Sequence, residues 1–159
     1  MPHLDAHGLQ VELPPGWEGE IFTRGGVPES HRVGAAQTGA REPPCLHAAT
    51  FPLSAGRGDF GGGAVERMGP GHLFLALVEF DAASAGTALF TQQGIGSLTA
   101  ASFHPQQLQR TLPGQSGAQR FFTAGGRPFC LYVVLGSHAR RMELVPSVNQ
   151  FLGGLRIAS

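Results

Sequence analysis

Residues 118–135, Ala-Gln-Arg-Phe-Phe-Thr-Ala-Gly-Gly-Arg-Pro-Phe-Cys-Leu-Tyr-Val-Val-Leu, decide the fold. Aromatic and β-branched side chains lie on both sides of Gly125-Gly126, and a Gly-Gly pair between two such runs is the signature of a two-residue hairpin turn. The stretch therefore reads as two antiparallel strands, Ala118–Ala124 and Arg127–Gly136. Upstream, His72-Leu-Phe-Leu-Ala-Leu-Val-Glu-Phe80 is nearly continuously apolar, of strand length, and bounded by Gly71 and Asp81. That is the pattern of a central strand buried on both faces.

Working outward, Gly8-Leu9-Gln10-Val11-Glu12-Leu13 alternates with period two and stops at Pro14-Pro15-Gly16, a half-buried strand and its breaker. Trp17 to Phe22 and Leu46 to Leu53 read as two more strands. Between them, Gly25 to Pro44 carries Gly, Pro, Ser, Thr and Gln with few large apolar groups and reads as a long flexible loop. Asp59 is placed to cap a short helix around Gly62 to Met68, and a further helical turn is expected over Phe103 to Leu108 after Ser102. At the far end, Leu144, Val148, Phe151, Leu152 and Leu155 share one face of an amphipathic helix whose regular part should begin near Pro146, because proline fits a first turn. Gly153-Gly154 ends that helix and Leu155-Arg156-Ile157 supplies a short last strand. The expected fold class is α+β: a mostly antiparallel sheet with a C-terminal amphipathic helix and one or two short helices packed on it, in a single domain over 1–159.

A chain of 159 residues with 42% hydrophobic and 14% charged residues can build one core without staples. Its 11 basic residues are all arginine and are balanced by 11 acidic ones, which leaves no net field to draw nucleic acid or an anionic membrane. With no lysine, Schiff-base and P-loop chemistry are excluded. No apolar run reaches the roughly 20 residues that span a bilayer and the first residues lack the pattern of a leader, so the expected location is cytoplasmic. Cys45 and Cys130, far apart and without zinc-knuckle spacing, read as buried free thiols.

The opening Gly8-Leu9-Gln10-Val11-Glu12-Leu13-Pro14-Pro15-Gly16-Trp17, the late buried hairpin and the terminal helix running into Leu155-Arg156-Ile157 together resemble the PsbP-like fold. That fold is shared by photosystem extrinsic proteins, a Ran-binding release factor and small actinobacterial lipoproteins. The resemblance implies a small actinobacterial-type domain that binds a partner or ligand and does not catalyse. The absent secretion signal is a departure from the pattern, and fold-level analogy transfers no site residue.

Gly56-Arg57-Gly58-Asp59-Phe60-Gly61 spells G-x-G-x-x-G, with Asp81 twenty positions beyond its last glycine. The context of a dinucleotide site is missing, because only about ten residues precede the next strand and a parallel crossover needs a helix of a dozen or so. The stretch reads instead as a Gly-rich connection. The seven histidines lack paired metal spacing, and convergence of His47, His72, Asp59 and Glu66 would be needed to build a metal site. Cys45 and His47 lack a third group to activate them, and Ser54, Ser97, Ser116 and Ser137 lack the G-x-S-x-G elbow. Arg110, Arg120, Arg127, Arg140, Arg141 and Arg156 read as a solvated face.

No catalytic residue, cofactor or metal site is therefore assigned. The leading expectation is a non-catalytic protein-binding or assembly module, with a protein partner, no nucleic acid and no membrane, homo-oligomerisation being compatible with it. The alternative is a small-molecule-binding protein or small enzyme with a ligand cleft around Asp59, Glu66, His72 and Glu79. Surface exposure of Phe60, Phe90 or Phe103 would favour the first, and a concave site with converging polar groups the second.

Overall fold

A computed structural model describes residues 2–23 and 43–159. In chain order the elements are β1 (His3–Ala6), β2 (Leu9–Glu12), β3 (Glu18–Thr23), β4 (Pro44–Ala49), β5 (Leu73–Glu79), β6 (Ser116–Ala124), β7 (Arg127–Leu135), the helix α1 (Arg141–Gly153) and β8 (Leu155–Ile157). Every pairing between strands is antiparallel. Five strands form the larger sheet in the order β3-β4-β5-β7-β6, and β1-β2-β8 form a smaller one. With the C-terminal helix, this is the α+β class read from the sequence.

The β6–β7 hairpin closes on Gly125 and Gly126, at φ 59° and 77°, so that Ala124 pairs directly with Arg127. Two successive positive φ values match the right-handed twist of the flanking strands. β5 occupies the middle of the larger sheet, and both of its faces are covered. Leu73, Leu75 and Leu77 of β5 and Leu131, Val133 and Leu135 of β7 face one side, where Leu144, Val145, Val148 and Phe151 of α1 pack on them. Phe74, Ala76, Val78, Tyr132 and Val134 face the other side, where the connections between strands cover them. The period-two alternation thus sorts an all-apolar run into two distinct layers.

Three local expectations change. The strand β1, formed by His3–Ala6, was not foreseen and pairs with β2 across a turn at His7 and Gly8. In place of a helix near residues 62–68 there is one 3-10 turn, Val65–Arg67, with Ala64 at its N-cap position and no side-chain cap. Three consecutive glycines at 61–63 make a longer helix costly there. Pro146 lies inside α1, past its first turn, because burial of Leu144 and Val145 extends the helix back to Arg141. Of the expected loop, residues 25–42 lie outside the described residues, and Pro44 already opens β4.

Candidate functional site

The second layer is built by a hydrogen-bonded latch. His47 is fully buried on β4. Arg57 Nε donates to His47 Nδ1 at 3.0 Å, which makes Nδ1 the acceptor and leaves the hydrogen on Nε2, which donates to the Asp59 carbonyl at 2.7 Å. Arg57 also donates to the Ser54 carbonyl and pairs with Glu20 of β3. Burial pushes His47 below the usual histidine range; the bond to Asp59 opposes this and the Arg57 guanidinium adds to it. The edges of Phe22 and Phe74 meet the imidazole at 4.9 and 5.2 Å between centroids. The latch pins residues 54–59 to the sheet. Gly61, at φ 87°, then lies so close to Phe74 that a Cβ would stand 2.5 Å from the ring. Only glycine lets the chain lie flat there.

From Phe60 onward the connection forms one wall of a cleft of about 340 Å³. Phe60, Gly62, Val65 and Glu66 make that wall, Leu108, Gln109, Arg110 and Gln115 from the segment before β6 make the opposite one, and Tyr132 and Val134 of β7 make the floor. Phe60 meets Tyr132 edge-on at 5.7 Å between centroids. The size is at the small end of ligand sites, which run roughly 300–1,000 Å³.

The polar groups of this cleft are few and fixed. Tyr132 Oη accepts the Gln109 N–H at 2.7 Å, and burial pushes its phenol up, so the hydroxyl keeps its proton. Glu66 Oε1 accepts the Gly63 N–H at 2.8 Å, while Oε2 stands 3.5 Å from Arg110. Gln115, only 6% exposed, donates through Nε2 to the Val65 carbonyl at 2.8 Å, and no protein donor reaches its Oε1. A buried amide oxygen without a donor costs about 1–3 kcal/mol, and this one is enclosed by protein, out of reach of the cleft.

Of the residues expected to form a cleft, Asp59, Glu66 and His72 lie along the second layer, whereas Glu79 is on the opposite face of the sheet, in line with Leu73, Leu75 and Leu77. Glu66 lines the cleft described above, and Asp59 supplies the carbonyl of the latch. His72 precedes β5, where its ring stacks on Phe51 at 5.2 Å and its Nδ1 accepts the Gly69 N–H. Glu79 ends the same strand, roughly 20 Å from His72 at about 3.3 Å per residue, and forms a two-pronged pair with Arg127 at 2.7 and 3.0 Å. Among the described residues no group of three His, Cys, Asp or Glu side chains is placed to hold a metal ion. Cys45 and Cys130 are buried and form no disulfide, and burial pushes the Cys130 thiol up to about 12.

Sequence reasoning missed Gln115, Tyr132 and Leu108. Tyr132 was visible only as a strand residue, and nothing local marks a glutamine whose importance comes from what surrounds it. It also missed the bond from Ser116 Oγ to His138 Nδ1, 2.8 Å long. Ser116 is fully buried, so this serine is a structural tie and not an exposed nucleophile. Arg127 departs from the expected solvated face: with Glu79 it is almost enclosed, and it also donates to the carbonyls of His7 and Ala158.

No helix among the described residues is long and apolar enough to cross a membrane. Comparison with protein-family models, with curated proteins and with solved structures returned no match. The resemblance to the PsbP-like fold therefore rests on its own residues.

Proposed function

We propose that this protein is a non-catalytic domain that binds a small organic molecule in the cleft between the 60–66 segment, the 108–115 segment and β7. The observation that carries this reading is the cleft itself, about 340 Å³ in volume, which apolar side chains of three segments line together with the polar residues Glu66, Gln109 and Gln115. Support also comes from the aromatic side chains that would have marked a protein-binding surface. Phe90 and Phe103 are buried, and Phe60 is turned to the wall of the cleft. The resemblance to the PsbP-like fold, which implies binding and not catalysis, points the same way. The test uses Gly62, which lines the cleft, has an unstrained φ and has nothing within 4 Å of a built Cβ. Gly62→Trp should leave the fold intact and fill the cleft. A fragment library screened by ligand-observed NMR should give hits on the natural protein that Gly62→Trp abolishes, and hits that survive the substitution would sink the reading.

A protein-binding role keeps one observation in its favour. Met142 on the first turn of α1 is 76% exposed and Leu89 is 58% exposed, both large apolar side chains in contact with solvent. If that is the working surface, Met142→Glu should abolish a partner interaction that Gly62→Trp leaves untouched.

A further inference from the structure

We propose that His104 and His138 form a pH-sensitive clasp that fixes the cleft wall of residues 105–116 near neutrality and releases it on acidification. That this wall serves a ligand rests on the cleft reading; the clasp itself does not. His104 and Gly117 exchange both of their backbone hydrogen bonds, at 2.9 and 3.1 Å, and so close the ends of the segment into one loop. The His138 N–H donates to the Gly114 carbonyl at 2.7 Å, a second tie at the exit of the loop. Leu108, Gln109, Arg110 and Gln115, the wall of the cleft on this side, hang between these ties.

Both imidazoles work as acceptors. His104 is the N-cap of the 3-10 turn Pro105–Gln107, where its Nδ1 accepts the Gln106 N–H at 3.4 Å. The Nδ1 of His138 stands 2.8 Å from Ser116 Oγ. Ser116 is fully buried and its side chain has no other partner among the described residues, so its hydroxyl donates to that nitrogen. A protonated imidazole has no acceptor left. Acidification therefore removes the cap at the entry of the loop and, at its exit, leaves the buried hydroxyl without an acceptor.

Charge acts in the same direction. The two rings lie 6.3 Å apart between centroids, and Arg141 of α1 donates to the His138 carbonyl at 2.8 Å, so protonating both histidines gathers three cations in one corner. The nearby acids are committed elsewhere, Glu143 to Arg140 and Glu66 to Arg110. His72, on the adjoining turn, is engaged with the Gly69 N–H and the Phe51 ring. Burial holds His138 below the usual histidine range, and Arg141 and His104 lower it further. The clasp is thus intact above about pH 6.5 and is lost as pH falls through the lowered His138 value.

Amide hydrogen exchange of the full chain, followed by NMR and corrected for its intrinsic pH dependence, tests the clasp. From about pH 7.5 to about pH 5.5 the protection of the His104, Gly117 and His138 amides should fall about fivefold, the size of one net hydrogen bond, while the amides of β5 and β7 keep theirs. His104→Asn keeps a capping acceptor that never becomes charged, and His138→Gln keeps an acceptor for Ser116. The double variant should lose the pH dependence. In ring-proton titrations, His104→Asn and Arg141→Gln should each raise the midpoint of His138, which a purely structural tie would not do. No fall in the natural protein, or an equal fall in the double variant, overturns the clasp, and so does a fall shared by β5 and β7, which is global unfolding. Should the double variant fail to fold, each single variant should reduce the fall, and an unchanged fall in both overturns the clasp. None of these readings uses a ligand, so failure of the clasp leaves the cleft to the Gly62→Trp test, and loss of the cleft leaves the clasp standing.

Discussion

His47 shows most directly how a residue's chemistry follows from its surroundings. In the sequence it is one of seven histidines, and it was weighed as a metal ligand and as a base for Cys45 because those are the roles that residue type suggests. The fold gives it neither role. Its two nitrogens are occupied by Arg57 and the Asp59 carbonyl, and no local pattern could reveal partners ten and twelve residues away. The consequence is a pH dependence of definite sign. His47 is held below the usual histidine value of about 6.5, so on acidification the unfolded chain takes up a proton at this residue before the native one does. Stability is then fully present above about pH 6.5 and declines as pH falls from there towards the lowered native value, by at most about 1.4 kcal/mol per pH unit for one proton. In the native state that proton would land on Nδ1 and face the Arg57 guanidinium, with Glu20 beyond it. Urea unfolding between pH 5 and 8 should show the decline, and His47→Gln should flatten it. An unchanged slope in the variant would assign the dependence to other groups.

At the level of elements, the legible parts were those whose pattern and neighbours agree. The β6–β7 hairpin carried its turn and both strands in one contiguous stretch, and β5 carried its burial in its own composition. Elements fixed by distant contacts were not legible. His3–Ala6 has too few apolar residues to announce a strand, yet β2 offers it an edge and it pairs. Pro146 marks a helix start by propensity, but Leu144 and Val145 find a core on the sheet and draw the first turn back past it. Arg127 is the strongest such long-range tie, since it joins β7 to Glu79 on β5, to the β1–β2 turn at His7 and to Ala158 beyond β8. Removing it strips Glu79 of this partner in a setting where the two side chains are only 11% and 13% exposed. Arg127→Ala should therefore cost about 3–5 kcal/mol, the usual loss when one member of a buried pair is deleted. Glu79→Ala should cost less, because the guanidinium keeps two carbonyl acceptors. Urea denaturation of the two variants measures both values, and equal losses would mean that the carbonyl bonds contribute nothing.

Across the whole molecule, the two sheets do not stand apart. β2 pairs with β8, so Leu9 meets Ile157 across nearly the full length of the chain, and Leu9, Val11 and Leu155 share one apolar cluster with β5, β7 and α1. Such a contact closes a loop of nearly the whole chain, and within the smaller sheet only the β1–β2 hairpin is local. The single tryptophan tests this directly. Trp17 lies between β2 and β3 and packs on Phe151 of α1 at 4.7 Å between centroids, so its fluorescence reports on the junction of the smaller sheet with the helix. Far-UV circular dichroism is dominated instead by the five strands of the larger sheet and by the helix. If the shared cluster makes the molecule one cooperative unit, urea titrations followed by the two signals should give the same midpoint and the same slope. A tryptophan transition at lower urea would mean that the β1-β2-β8 sheet peels away first. The cleft, whose walls all rest on the larger sheet, would then keep its shape, and ligand binding by the partly unfolded protein would persist through that first step.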